Sequence, residues 1–422
     1  MSSKGSAETL CDKIQSRAPW TLGAQLALVS SKHLSMESML FQVISIGILS
    51  IPYALSQGGW LSLIIFVAIA IICCYTGILL QRCVDSSSRI KNYTDIGAVA
   101  FGRKGKILAA TFMYLELYLA AIDFLIMEGD NLDKLFPGVS FRIPGLLTIT
   151  GKQGFVLIAS LVVLPTTWFR SLGKLAYISL GGVLASAVLV AAVLWVGAFD
   201  GVGFHERGEL VNWSGLPAAM SLYAFCFSSH PVIPKLYLGM SDRKMFPKVL
   251  VLCFVVSALG YGITGITGYL MYGASTRSQV TLNLPPGNLT SKIAIYTTLV
   301  NPLTKYALFV IPVADAIEDG TRVADSRPVC VAIRTALVVG TTVVALAVPL
   351  FGYVTMLTGA LLCSSVIMLM PCVCYLKISS MTSRKVGSFE RVVCVGIIGL
   401  AVGIAAAGTY ISLKHIVHTL KN

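Results

Sequence analysis

The chain is laid out as apolar runs of about twenty residues, separated by short stretches that hold nearly all of its charge. Wound as helix at 1.5 Å per residue, a run of that length crosses a hydrocarbon layer of roughly 30 Å. Backbone polar groups there find no water, so each run must satisfy its own hydrogen bonds as a helix. With 56% hydrophobic and 12% charged residues over 422, and almost every loop short, no stretch remains for a separate soluble domain. The expected fold class is an all-α polytopic membrane protein.

Charged punctuation divides the runs into eleven expected spans: 36–55, 60–82, 107–129, 153–169, 174–199, 215–238, 246–272, 290–316, 330–350, 352–375 and 391–413. Residues 1–35 read as a flexible cytosolic tail, with no basic start and short apolar core to mark a cleavable signal; 36–422 form the transmembrane domain. With the N-terminus inside, 23 Lys and Arg fall on inner segments and 8 on outer ones, leaving Lys305 mid-span. This asymmetry predicts N-terminus in and C-terminus out. It also explains the net charge of +13 without nucleic acid: the basic residues set topology and touch anionic lipid. The Asn288-Leu-Thr sequon falls on the expected outside. Of the eleven cysteines, Cys73, Cys74, Cys253, Cys363 and Cys394 lie within apolar runs and read as small buried hydrophobes; Cys372-x-Cys374 is too sparse for a metal site.

Two runs are interrupted. FQVISIGILSIPYALSQGGW (41–60) holds Gly47, Ser50, Pro52 and a Gly58-Gly59 pair, and AMSLYAFCFSSHPVIPKLY (219–237) holds Ser228, Ser229, His230, Pro231 and Pro234. Proline lacks an amide donor and clashes with the carbonyl four residues back, so both spans are expected to unwind near their middles. Irregular backbone at membrane depth survives only inside protein or beside a water-filled cavity. Interruptions in the first and sixth of eleven spans fit inverted repeats at about 36–199 and 215–375, with 391–413 appended. Such a pair points to a midplane binding site, amides near Gly47–Pro52 holding a carboxylate and carbonyls near Ser228–His230 holding an ammonium group or a cation. Two unrelated proline kinks are the competing reading.

GILSIPYALSQGGW (47–60), NYTDIGAVAFG (92–102), MYLELY (113–118), IMEGDNLDKLFP (126–137), CFSSHPVIPKLY (226–237) and TTLVNPLTKYAL (297–308) resemble the amino acid/auxin permease family, and within it the plant and fungal vacuolar amino acid transporters, the AVT branch. The resemblance runs from about Leu34 to the end. It implies a LeuT-like fold of eleven helices with helices 1 and 6 broken. It also implies amino acid transport driven by protons or, in some branches, sodium, at a vacuolar or plasma membrane. No organic cofactor or metal is implied.

On this reading Gly47, Ile48, Leu49 and Ser50 meet the carboxylate, with the half-helix dipole adding positive potential. Phe227, Ser228 and Ser229 face them, Phe225 and Phe227 either shaping the pocket or simply packing. Ionisable residues within spans are functional hypotheses by default. Glu116, Asp123 and Lys305 either form a neutralised structural pair or include the carboxylate that exchanges the coupling proton; Glu128 and Asp130 read as solvated. His230, in the sixth-span interruption, is either a packing residue or a proton carrier. Thr297, Thr298, Asn301 and Thr304 form an alternative sodium site, which the Lys305 ammonium would compete with. Gly260, Gly262, Gly265 and Gly268 read as a packing surface or a sliding surface for alternating access.

An enzyme would need converging nucleophile, base or metal ligands, and the five histidines are scattered with no HExxH or GxSxG. A channel would show a repeated filter loop. A transporter fold acting as an amino acid sensor remains an alternative that flux would separate. The break residues carry no acid or base besides His230, which favours a neutral amino acid.

Overall fold

The computed structural model describes residues 47–143, 147–168, 175–240, 242–321, 323, 325–382 and 386–421. The expected tail at 1–35 and the start of the first span lie outside the described residues. Helices occupy every expected span: α1 (Gly47–Gly58), α2 (Ser62–Ser86), α3 (Tyr93–Leu135), α4 (Gly151–Thr167), α5 (Leu175–Phe199), α6 (Leu216–Cys226), α7 (Ile233–Gly239), α8 (Phe246–Tyr272), α9 (Leu289–Thr321), α10 (Arg327–Ala347), α11 (Phe351–Leu357), α12 (Met370–Met381) and α13 (Ser388–Lys421). Among the described residues, seven helical stretches are long and apolar enough to cross a membrane, and Gly151–Thr167 and Leu184–Phe199 are shorter apolar helices. α9 is long enough at 33 residues, but Thr297, Thr298, Asn301, Thr304 and Lys305 make its middle polar.

Local sequence accounts for the boundaries. The Asn92–Asp95 pair caps α3 reciprocally: the Asp95 amide donates to Asn92 Oδ1 at 3.1 Å, and the Asn92 amide to Asp95 Oδ2 at 3.2 Å. Prolines within the first turns of α6, α8 and α10 cost no intrahelical bond. Gly59, at φ +74°, makes the turn from α1 to α2, so the Gly58-Gly59 pair is a connection between spans and no part of a break. A two-stranded antiparallel hairpin, β1 (Ser140–Ile143) and β2 (Leu147–Thr150), links α3 to α4, with Ser140 opposite Thr150. Nothing in the apolar pattern announced it.

Two groups of helices emerge from the packing. α1, α2, α6 and α8 pack on one another; α3, α4, α9 and α10 form a second group, with α5 against both α9 and α8. These are the first, second, sixth and seventh spans against the third, fourth, eighth and ninth. Lipid solvates apolar side chains as well as protein does, so close approach depends on small residues. A Cβ on Gly265 would lie 2.5 Å from Ile51 and one on Gly268 2.7 Å from Pro52, so these two seat α8 on α1. Gly260 and Gly262 meet nothing within 4 Å, which corrects the expected four-glycine surface to half its length. Between α2 and α8 an apolar groove of about 720 Å³, lined by Val67, Ile71, Val255 and Ile263 among others, opens outward, as a lipid-facing surface does.

The tenth span lies between the two groups. From α11 it passes through two π-helical turns, Thr358–Cys363 and Ser365–Leu369, before α12. The first π turn packs against both α6 and α3.

Candidate functional site

The sixth span breaks where its prolines forbid helix. α6 ends at Cys226, residues 227–229 are non-helical, His230–Val232 form a 3₁₀ turn, and α7 resumes at Ile233. Pro231 and Pro234 have no amide hydrogen to return to Phe227 and His230. The expected free carbonyls are largely taken. The Ser229 amide donates to the Phe227 carbonyl at 3.0 Å, Val232 to Ser229 at 3.3 Å, and the Tyr261 hydroxyl to the Cys226 carbonyl at 3.3 Å.

The first span differs from expectation. α1 runs unbroken from Gly47 to Gly58 with Pro52 inside it, so the break is not at Gly47–Pro52. Proline forfeits a single bond, and the α8 glycines close on this turn and hold it in place. The residues that would accept from the amides of Gly47, Ile48, Leu49 and Ser50 lie outside the described residues. What the structure does place is the contact of this helix end with the sixth-span break. A Cβ on Gly47 would lie 2.7 Å from Cα of Cys226, whose thiol donates to the Gly47 carbonyl at 3.5 Å.

A third element meets the same point. Glu116 of α3 is 5% exposed, and its Oε1 accepts short hydrogen bonding from the Ser228 hydroxyl and, at 3.5 Å, from the Cys363 thiol of the tenth span. Its Oε2 has no partner among the described residues, nor do the buried hydroxyls of Ser50 and Ser229. Sequence reasoning took Cys363 only as a small buried hydrophobe and did not foresee its π turn, because a span this apolar, with only scattered Thr and Ser, carries no periodic signal. The Tyr93 hydroxyl, donating to the Val366 carbonyl at 2.7 Å, helps to fix this segment.

The remaining candidates spread outward. Ile48 and Leu49 are buried, and Phe227 packs among Phe66, Phe254 and Tyr261 with centroids 5.3–5.9 Å apart. Phe225 is buried against Gly359. His230 faces α2: its Nε2 lies 3.1 Å from the Cys73 carbonyl and 2.9 Å from Thr76 Oγ1. Asp123 is fully buried with neither oxygen partnered among the described residues; Thr355 lies beside it, but that hydroxyl donates to the Phe351 carbonyl at 2.8 Å. Lys305 is buried on α9, and no ion pair joins it to Glu116 or Asp123 among the described residues, so the expected charge-neutralised pair is not formed. Glu116 meets the sixth and tenth spans, while α9 packs on α5 and on α3, where Phe309 meets Phe124 with centroids 5.2 Å apart. Thr297, Thr298 and Thr304 donate to α9's own carbonyls at 2.7–2.9 Å, and Asn301 reaches Ser186 at 3.4 Å. Thr297 is exposed. Glu128 and Asp130 are not solvated: Glu128 is 2% exposed, and Asp130 pairs with Lys152 of α4 and accepts from Gln279 of the segment 276–284, which folds over this end of α3. Among the described residues, no group of three or more His, Cys, Asp or Glu is arranged to hold a metal ion.

Set against known proteins, residues 35–413 match the family model described as "Transmembrane amino acid transporter protein". The chain is 46% identical over 374 residues to Amino acid transporter AVT1I of Arabidopsis thaliana, covering 88% of this chain and 92% of that one. To AVT1J of the same plant it is 44% identical, covering 88% of each, and to AVT1C 43%, covering 89% of this chain and 68% of the relative.

Proposed function

Because the chain belongs to the transmembrane amino acid transporter family, we propose that it is a secondary active transporter that carries a neutral amino acid by alternating access, coupled to protons. The observation that carries the proposal is the meeting of three elements at one buried point: Gly47 of α1 against Cys226, and Ser228 of the sixth-span break on Glu116 of α3. The unpartnered hydroxyls of Ser50 and Ser229 supply uncommitted polar atoms there. Glu116 takes the coupling proton: ionised it accepts from Ser228, and protonated it can release that hydroxyl toward the substrate. Its position links protonation to the geometry of the break through the Ser228 hydroxyl, whereas His230, itself in the break, faces α2.

The two packing groups support a LeuT-like arrangement of eleven spans, since helices 1, 2, 6 and 7 and helices 3, 4, 8 and 9 are the sets that two inverted five-helix repeats exchange. The first group moves against the second around Glu116. The basic-residue asymmetry supports a cytosolic N-terminus. A vacuolar membrane is the proposed setting, where an acidic lumen facing the outer end drives amino acids toward the cytosol.

Purified protein in liposomes, given a panel of radiolabelled amino acids with sodium absent, tests this reading. Accumulation that requires an imposed pH gradient is expected. Flux only after sodium is added would move coupling to Thr297, Thr298, Asn301 and Thr304. Binding without flux would indicate a sensor.

A further inference from the structure

The expected outer end of α3 carries a polar network outside the proposed transport site. Asn131 Nδ2 donates to the Met127 carbonyl at 2.8 Å and to Gln279 Oε1 at 2.7 Å; Gln279 Nε2 donates to Asp130 Oδ2 at 3.0 Å. Asp130 pairs with Lys152, which also donates to the Pro349 carbonyl at 2.9 Å. Lys134 Nζ donates to the carbonyls of Thr281 and Leu284 at 2.7 and 2.5 Å. These bonds strap 276–284 across the end of α3, and its Val280–Leu282 turn also packs on α1 and α9. The strap therefore joins the two helix groups at this end.

Beneath the strap the polar accounting does not close. Among the described residues, Glu128 is 2% exposed with Oε1 unpartnered, and Asn131 Oδ1 and Thr281 Oγ1 are buried and unpartnered as well. Both Asn131 amide hydrogens are committed, so Oδ1 remains as an acceptor in need of a donor. Glu128 lies one turn before Asn131 on the same face. An ionised carboxylate offers acceptors only, and sealing even one of its oxygens from water unpaired is costly. A protonated carboxyl removes that cost and provides one O–H donor.

The charged neighbours leave this group alone. Lys152 is held by Asp130 and Lys134 by two carbonyls, Arg277 and Lys292 are exposed, Asp133 is partly exposed, and Asp123 lies further in. α1 and α11 present only Tyr53 and Tyr353.

We propose that Glu128 is a proton-binding site of the outer gate: closing the 276–284 strap over α3 takes one proton from the outer solution onto the Glu128 carboxylate, and opening returns it there. The proton stays on one side, so this site sets how readily the gate closes and is separate from the coupling role given to Glu116. The inference rests on the transporter reading.

Ser278→Cys reports the strap, since Ser278 is half-buried against Gly352. The full chain in lipid nanodiscs, with no amino acid present, is treated with a hydrophilic maleimide between pH 5 and pH 8, and modification at 278 is read by peptide mass spectrometry as the rate relative to that of the unfolded chain at the same pH, so that the thiol's own ionisation cancels. Modification is expected to fall several-fold from pH 8 to pH 5. In the Glu128→Gln background it should be low at both, because glutamine imitates the protonated acid; Glu128→Asp should keep the pH dependence and guards against loss of folding in the first variant. Unchanged pH dependence with glutamine, or none in the parent, overturns the proposal. Labelling needs no flux, so pH-gated labelling in a protein that fails the uptake assay sinks only the transport reading.

Discussion

Adding one methyl group at Gly47 tests the central geometry most directly. In Gly47→Ala the new Cβ would stand 2.6 Å from Sγ, 2.7 Å from Cα and 2.7 Å from Cβ of Cys226. Unbonded carbon atoms rest about 3.5–4.0 Å apart, so α1 and the break must separate by roughly 1 Å. Overpacking of this kind costs about 1–3 kcal/mol. If the cost falls on the state in which α1 and α6 touch, that state loses about 5- to 150-fold in population against the others. Sodium-free uptake in proteoliposomes under a pH gradient should fall about tenfold or more, with thermal melting of the purified protein checking that it is folded. Gly260→Ala is the matched control, because its Cβ meets nothing within 4 Å, and it should transport normally. Cys226→Gly in the Gly47→Ala background removes the sulfur and Cβ contacts but leaves Cα, so partial rescue is expected. Wild-type uptake by Gly47→Ala, or no difference between the two glycines, would refute the claim that this contact is part of the transport cycle.

Glu116→Gln should abolish gradient-driven accumulation while leaving substrate binding within a few-fold, measured by uptake and by scintillation proximity; unchanged pH dependence would remove Glu116 from coupling. His230→Gln should leave the pH profile of uptake unmoved, since the ring is sealed against Cys73 and Thr76 on the α2 side. Arg334 is 2% exposed and its guanidinium binds Glu318 and Asp315 at 2.8 Å and the Thr167 carbonyl at 2.9 Å. Arg334→Ala leaves the buried Glu318 carboxylate without this partner, and a loss of about 3–5 kcal/mol is expected, seen as a lower melting temperature in detergent. An unchanged melting temperature would show that water or a neighbouring donor replaces the guanidinium.

Residues that break a covalent or steric rule were read correctly from the chain alone. Two prolines within four residues leave 227–232 no helical option, and the structure breaks there. Pro52 is a single proline, and tertiary contact with Gly265 and Gly268 decides its outcome; sequence reasoning placed a break where the helix continues. Apolar run length located helices, and among the described residues seven helical stretches are long and apolar enough to cross a membrane, because the hydrocarbon thickness fixes that length. Glu128 was misjudged for a different reason. Its position near a span end suggests solvent, but burial depends on where 276–284 folds back, and nothing in the α3 sequence encodes that. Glu116 was legible as an expensive residue at depth, whereas its partners on the sixth and tenth spans were not.

The π turns of the tenth span change the phase of everything that follows them. Each adds about one residue to the turn it occupies, and one residue on an α-helix is about 100° of rotation. The apolar run before Thr358 and the run after Leu369 therefore point in directions that a continuous helix would not give them. Upstream the span is aimed at α6 and α13; downstream it is aimed at α2 as well as α13. One uninterrupted hydrophobic word in the sequence thus serves two addresses. Deleting a single residue within 358–369 would misdirect α12 as surely as a charge would, although hydropathy would register no change at all.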